Sequence, residues 1–451
     1  MGLDRTSGQS VAIKFLEESS TGAERFAREV TLLTELSHPS IVRYIAHGTL
    51  GRRPYLVMEW VEGRPLSHFL SDGLTMRESV EVTSRIAQAL SVVHVRGVVH
   101  RALDPSNIMF VDGRLEDLKL IDFGFVREIG QPGFTRVGTV IGTPGYLSPE
   151  QARGEYNVDS RTDVFSLGCV LYTCLSGAAP FSAQHLLATL IKVMFQDPVP
   201  LSELRPDVPS PLLDLVQRMV AKERHERPDS AAVVVEELRA LGELPDTERR
   251  PATPAASSLF ASRFRPDQRP TVGAIPSALA ATNSHTPDTL MLLIGLDGQG
   301  GFSKLLANGN SAAAHAQIEP MVALIDSAKA MIKAADGRSS LLADGTLVGL
   351  FANPDAAAAP AARAALDIRA LISQRLGTNA PIVLGASGGG LGEDALDRLV
   401  QLLIEESFRG VVDDDSEVPA SAVRVAEHMR KLLPGEFTVE RYRTGSYLTL
   451  S

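Results

Sequence analysis

Two cysteines and one tryptophan are all that 451 residues contain of either type, and aromatics make up only 5% of the chain. Cys169 and Cys174 both lie inside the apolar run SLGCVLYTCLSG. That suits buried core thiols and argues against a disulfide framework or a thiolate metal centre. Positive charge is not in excess: 44 Lys and Arg stand against 54 Asp and Glu, a net of -10. Such a balance offers no basic field for a nucleic-acid backbone or an anionic membrane. Apolar runs of the roughly 18 residues that span a bilayer are missing, and the opening MGLDRTSGQS has no apolar signal core. The expected location is the cytoplasm, with no membrane segment and no nucleic-acid partner.

What remains, 44% hydrophobic and 22% charged residues, is an ordinary folded composition with length for two or three domains. Short strands alternate with amphipathic helices over residues 1–243. From 244 to 287 the chain turns Pro-, Ala-, Ser- and Arg-rich, and its seven prolines deny it a continuous helix or a paired strand. This stretch is expected to be a disordered linker. A second apolar-patterned region fills 288–451.

Chemistry is densest between residues 98 and 124, VVHRALDPSNIMFVDGRLEDLKLIDFG. The apolar runs Val98-Val99 and Ile108–Val111 read as strands flanking a polar loop. A third, Leu118–Ile121, delivers Asp122-Phe123-Gly124 at its end, which mounts a carboxylate on a rigid element. Upstream, Val11-Ala12-Ile13-Lys14 sits on the alternating strand SVAIKF, and the helix AERFAREVTLLTEL sets Glu29 beside the apolar face Phe26, Val30, Leu33 and Leu36. Pro39 stops that helix, and Tyr55–Val61 forms a strand running into the turn Glu62-Gly63. Downstream come Gly142-Thr143-Pro144-Gly145-Tyr146, Ser148-Pro149-Glu150, Asp163 at the head of an apolar helix, and Arg227 in RHERPDSA. Taken singly, Lys14 is a snorkelling edge residue and Glu29 a solvated helix charge.

In this order and at these spacings, the motifs resemble those of the bacterial serine/threonine protein kinase family. The resemblance covers about half the chain. It implies an α+β, bilobal kinase-like fold with a truncated N-lobe, since LDRTSGQSVAIK is similar to the stretch just after the family's Gly-rich loop and no G-x-G-x-x-G precedes it. It also implies an ATP site in which Lys14 meets the α- and β-phosphates and Glu29 ion-pairs with Lys14. Met58 would back the adenine pocket, with the backbone of Glu59 and Val61 bonding its edge. Asn107 and Asp122 would hold Mg2+. Thr135 and Thr139 become candidate phosphorylation sites facing Arg101, or plain surface threonines, and Thr143 belongs to the activation segment. Asp163 would cap the catalytic-loop backbone and Arg227 would pair with Glu150.

Two positions depart from the family pattern His-Arg-Asp-Leu-Lys-Pro-x-Asn. Ala102 stands where the catalytic Asp belongs, and removing a general base typically costs about 10²- to 10⁴-fold in rate. Asp104 stands where a cation should touch the γ-phosphate, and a carboxylate at roughly 4 Å from a phosphate charge costs on the order of 4 kcal/mol at an effective dielectric of 20. The expectation is a pseudokinase that keeps Mg-ATP binding while transferring phosphate poorly or not at all. Two alternatives stand beside it: an active kinase using Asp104 as a displaced base, and a nucleotide cyclase acting through the second region.

That second region reads as strand TLMLLIGL, a helix over 312–335, a hairpin turning at Asp344-Gly345, a long helix PDAAAAPAARAALDIRALISQRL and strand APIVLGAS, with a last hairpin in FTVERYRTGSYLTLS. Strand, helix, two strands, helix, strand is the order of a ferredoxin-like α/β sandwich. LVGLFANPDAAAAPAARAALDIRALI resembles part of the class III nucleotide cyclase domain, whose chemistry needs two metal-binding carboxylates. Asp297 is out of step for one of them, Asp394 stands where an Asn is expected, and Arg398 matches the transition-state Arg. A non-catalytic sensory or dimerising role is expected, with protein partners unknown.

Overall fold

The computed structural model describes residues 2–5, 7–15, 36–51, 53–122, 143–155, 158–245, 249, 289–296, 312–342, 345–376, 380–387, 395–407, 418, 422–434, 437–442 and 445–450. The expected linker, apart from 244, 245 and 249, lies outside them.

The amino-terminal strands β1 (Gly2–Leu3), β2 (Ser10–Phe15), β3 (Tyr44–Leu50) and β4 (Arg53–Glu59) form an antiparallel sheet in the order β1-β2-β4-β3. In SVAIKF the side chains alternate, so Val11 goes to the core while Ala12 and Lys14 share the opposite face. The register sets Ala12 opposite Met58 and Lys14 opposite Leu56, which aligns the Lys with the strand that leaves the sheet.

Below it lies a largely helical body. Helix α1 (Met76–Val95) starts at a capping box in which Thr75 and Glu78 bond each other's backbone amides, a T-x-x-E signal readable in the chain. Helix α2 (Arg161–Ser176) is apolar around almost its whole circumference and is correspondingly the buried centre of this body. It ends at Gly177 with φ 76°, a left-handed C-terminal residue that only glycine adopts without strain. Against it pack α1, α4 (Ser210–Met219) and α5 (Ala231–Ala240), while α3 (Leu186–Phe195) lies against the 3-10 turn Pro144–Tyr146.

Strands β5 (Gly63–Pro65), β6 (Ile108–Val111) and β7 (Leu118–Leu120) make a small antiparallel sheet between the two bodies. The expected strand at Val98-Val99 is not formed. Val98 N–H bonds back to Val93 O of α1, and the amides of His100 and Arg101 are taken by the Asp163 side chain rather than by a ladder partner.

The carboxy-terminal region contains β8 (Thr289–Gly295), α6 (Ala312–Ala334), β9 (Arg338–Leu341), β10 (Thr346–Ala352), α7 (Pro354–Leu376), β11 (Ile382–Ser387), α8 (Ala395–Ser407), β12 (Val423–Val425), β13 (Phe437–Tyr442) and β14 (Gly445–Leu450). Its seven strands run in the order β13-β14-β12-β11-β8-β10-β9. β8 is central and carries an unbroken buried run, Leu290 to Ile294, because both of its faces are covered.

Candidate active site

The loop between α1 and β6 is held by one carboxylate. Asp163, fully buried at the start of α2, accepts from the amides of His100 at 2.7 Å and Arg101 at 2.8 Å, and from His94 Nε2 at 2.8 Å. Burial alone would push this carboxyl up, but the His94 bond and the neighbouring dipoles hold it below its ordinary value. Arg101 takes a φ of 63°, a conformation that costs a non-glycine residue about 1–3 kcal/mol and persists where the surroundings over-determine it. Here those surroundings are Asp163 on its N–H and Gln151, whose Nε2 donates to Arg101 O at 2.7 Å.

His100 is buried, and desolvation lowers its pKa, so the ring is neutral. Its Nε2 donates to Ile121 O at 3.2 Å and its Nδ1 faces the Ala102 amide at 3.3 Å. That couple joins the loop to the end of β7, where Asp122 sits at φ 60°.

Ala102 is buried, and a methyl group is all the side chain that this position of the loop offers. Asp104 is only 1% exposed. Its Oδ1 accepts from the Ser106 amide at 2.7 Å and from the Ser106 hydroxyl, capping the short 3-10 turn Pro105–Asn107. Its Oδ2 accepts from Thr143 Oγ1 at 3.1 Å, so this carboxylate ties the loop to the segment 39 residues on. Asn107 donates from Nδ2 to Ala102 O at 2.7 Å, which turns its Oδ1 into the atom that a cation would take.

Above the loop, Lys14 of β2 and Asp122 form an ion pair, each side chain about one-third exposed. Glu29 lies outside the described residues, as do Phe123, Gly124, Thr135 and Thr139. Met58 is buried opposite Ala12 of β2, with Val61 packed against the same core. Glu59, expected to act through its backbone, also uses its side chain: Oε1 accepts from Lys119 Nζ at 2.6 Å and from the Arg43 amide at 3.0 Å. Nothing in the sequence links residues 59 and 119.

Among the described residues no group of three His, Cys, Asp or Glu side chains could hold a metal alone. Mg2+ seldom asks for one, since it binds through one or two carboxylates together with phosphate oxygens and water. Asp122 and the Asn107 amide oxygen fit that donor set.

Further out, Glu150 and Arg227 form a buried bidentate pair, Nη1 to Oε1 at 2.9 Å and Nη2 to Oε2 at 3.0 Å. Thr162 adds a bond to Oε1 at 2.7 Å, and the guanidinium also donates to the carbonyls of Ala221, Arg161 and Lys222. Ser148 and Gln151 close a capping box around Glu150, a signal that S-P-E-Q carries in the sequence. Gly145 passes so close to Phe181 that an added Cβ would stand 2.4 Å from its carbonyl oxygen. Burial by itself raises the Glu150 pKa, but Arg227 and Thr162 override it and bring it from 4.5 down to about 2. A depressed carboxyl stabilises the fold above its unfolded pKa. The stability is therefore fully present above pH 4.5 and is lost as pH falls toward 2, by about 3 kcal/mol. Acid titration of thermal unfolding is expected to show this decline in the natural protein and a shallower one in Glu150→Gln.

Residues 1–238 match the family described as the protein kinase domain. Serine/threonine-protein kinase Pkn1 of Myxococcus xanthus is 33% identical over 300 residues, 62% of this chain and 43% of the relative. Serine/threonine-protein kinase PknB of Mycolicibacterium smegmatis is 40% identical over 224 residues, 48% of this chain and 35% of the relative. The chain thus spans less than half the length of these curated relatives. The solved kinase domain of Mycobacterium tuberculosis PknI aligns over 52% of this chain and 85% of its own length, at 24% identity and a TM-score of 0.41.

Proposed function

The chain belongs to the protein kinase family, and from that premise we propose that residues 1–243 are a serine/threonine-kinase-like signalling domain that holds Mg-ATP but transfers phosphate poorly or not at all. The observation that carries this reading is the state of the two departed positions. Ala102 has no side-chain group that accepts a proton, and Asp104, two residues on, is buried with both oxygens engaged by Ser106 and Thr143. A base must reach the hydroxyl it deprotonates. Asp104 instead works as a cap and a tether, which disfavours its use as a displaced base.

The binding half of the site is kept. Lys14 would meet the phosphates once its pairing with Asp122 opens, and Asp122 with Asn107 would hold Mg2+, which when bound neutralises phosphate charge. Glu29 is proposed as the partner that then orders Lys14. Met58, Glu59 and Val61 would frame the adenine, and Glu59, fixed to Lys119, keeps that edge rigid. Thr135 and Thr139 remain proposed phosphorylation sites, where an added phosphate would pair with Arg101.

The test is thermal unfolding with and without Mg-ATP. At about 100 times the dissociation constant, binding stabilises by about 2.7 kcal/mol, and Asp122→Ala is expected to abolish most of that shift. No shift in the natural protein would sink nucleotide binding and reduce the domain to a scaffold.

For residues 288–451 we propose a ferredoxin-like sandwich related to class III nucleotide cyclases, joined to the first domain by the 244–287 linker. The spatial order β11-β8-β10-β9, all neighbours antiparallel, supports it as the split β-α-β arrangement. Arg398 is exposed, while Asp297 and Asp394 lie outside the described residues. A non-catalytic role is proposed. Cyclic-nucleotide formation with manganese that disappears in Asp297→Ala would overturn it.

A further inference from the structure

Helix α3 has no side-chain cap of its own at its amino end. Its first amides would be left without intrahelical partners, and its positive end without a counter-charge. The missing group comes from 212 residues away: the amide of His185, the residue that opens α3, donates to Asp397 Oδ1 at 3.1 Å. Asp397 belongs to the first turn of α8, on the far side of the linker.

The burial pattern of α8 separates two kinds of residue. Leu396, Leu399, Val400 and Leu403 pack into the core of the carboxy-terminal region. Asp397 is a carboxylate and yet only 7% exposed. Carboxylates are rarely buried without a partner, because desolvation of the charge must be offset by hydrogen bonds or an opposing charge. For Asp397 that partner is the start of α3. The next residue, Arg398, is exposed, so burial at this end of α8 is confined to residues facing its own core or α3.

We propose that α8 is a docking element, that its occupant surface is the amino end of α3 in the kinase-like domain of the same chain, and that Asp397 is the capping residue that fixes the contact. The carboxy-terminal domain is then seated on the helical lobe rather than tethered by the linker alone. Displacement of α8 uncaps α3, which gives the second domain a physical handle on the first that does not depend on phosphate transfer.

Hydrogen exchange and small-angle scattering on the full chain test this. In Asp397→Asn and Asp397→Ala, the amide of His185, which donates to Asp397, and that of Thr189, which closes the first turn on His185 O, are expected to exchange about tenfold faster, the factor expected when a charge-assisted bond is lost, and the radius of gyration to rise. Protection in the centres of α2 and β8 reports that both domains stay folded. His185→Pro deletes the donating amide without touching the second domain and is expected to raise the radius of gyration in the same way. Unchanged exchange in α3 together with an unchanged radius in these variants overturns the proposal. A contact in the natural protein that loosens on dilution would assign α8 to a second copy and overturn it equally.

Discussion

Ala102→Asp combined with Asp104→Lys is expected to raise γ-phosphate transfer to a basic peptide, or to the protein itself, by about 10²-fold or more. The first change supplies a group able to take the hydroxyl proton, worth about 10²- to 10⁴-fold. The second supplies the cation that the family pattern places on the γ-phosphate, and an opposite charge at roughly 4 Å contributes on the order of 4 kcal/mol at an effective dielectric of 20. Ala102→Asp alone is expected to give the smaller gain, because it sets a second carboxylate two residues from Asp104. Asp104→Lys alone loses the Ser106 cap and the Thr143 tether and still has no base. Robust transfer by the natural sequence, with no gain in the double variant, would remove the pseudokinase reading.

Glu150→Ala is expected to destabilise the first domain by about 3–5 kcal/mol, since it leaves the Arg227 guanidinium buried without its carboxylate. Arg227→Ala is expected to cost a similar amount by stranding Glu150. A loss of that size lowers the melting temperature of a domain this long by roughly 10 °C. Arg161→Ala is the comparison: its pair with Asp229 has an exposed carboxylate, and losing it should cost less than about 1 kcal/mol. Equal effects of Glu150→Ala and Arg161→Ala would show that burial is not what makes the first pair matter. Catalysis does not enter this prediction, so it holds whether or not phosphate is transferred.

Much of the first domain is legible because its signals are local. SVAIKF alternates at period two and becomes β2, T-x-x-E starts α1, and the continuously apolar run after Asp163 becomes the buried α2. The strand read at Val98-Val99 fails for the opposite reason. Two apolar residues do not specify a ladder, and Asp163, more than 60 residues away, captures the amides that follow. In the second region the alternation of apolar runs with Ala-rich helix gives the order of elements, while the placement of β11 beside β8 depends on packing across the sheet.

The chain by itself determined which chemistry is present and which is missing: a Lys on a strand, an Asn and an Asp after a loop, and Ala102 and Asp104 in that loop. These are identities, and no fold alters them. Only the tertiary structure decided what the odd carboxylate does. Asp104 could have been a base, a repulsive charge or a cap, and its burial against Ser106 and Thr143 makes it a cap. The same holds for Glu59 with Lys119 and for Asp397 with α3. Hydrogen bonds act over about 3 Å whatever the separation along the chain, so partners 39, 60 or 212 residues apart leave no periodic mark in the sequence and become neighbours only when the core has closed.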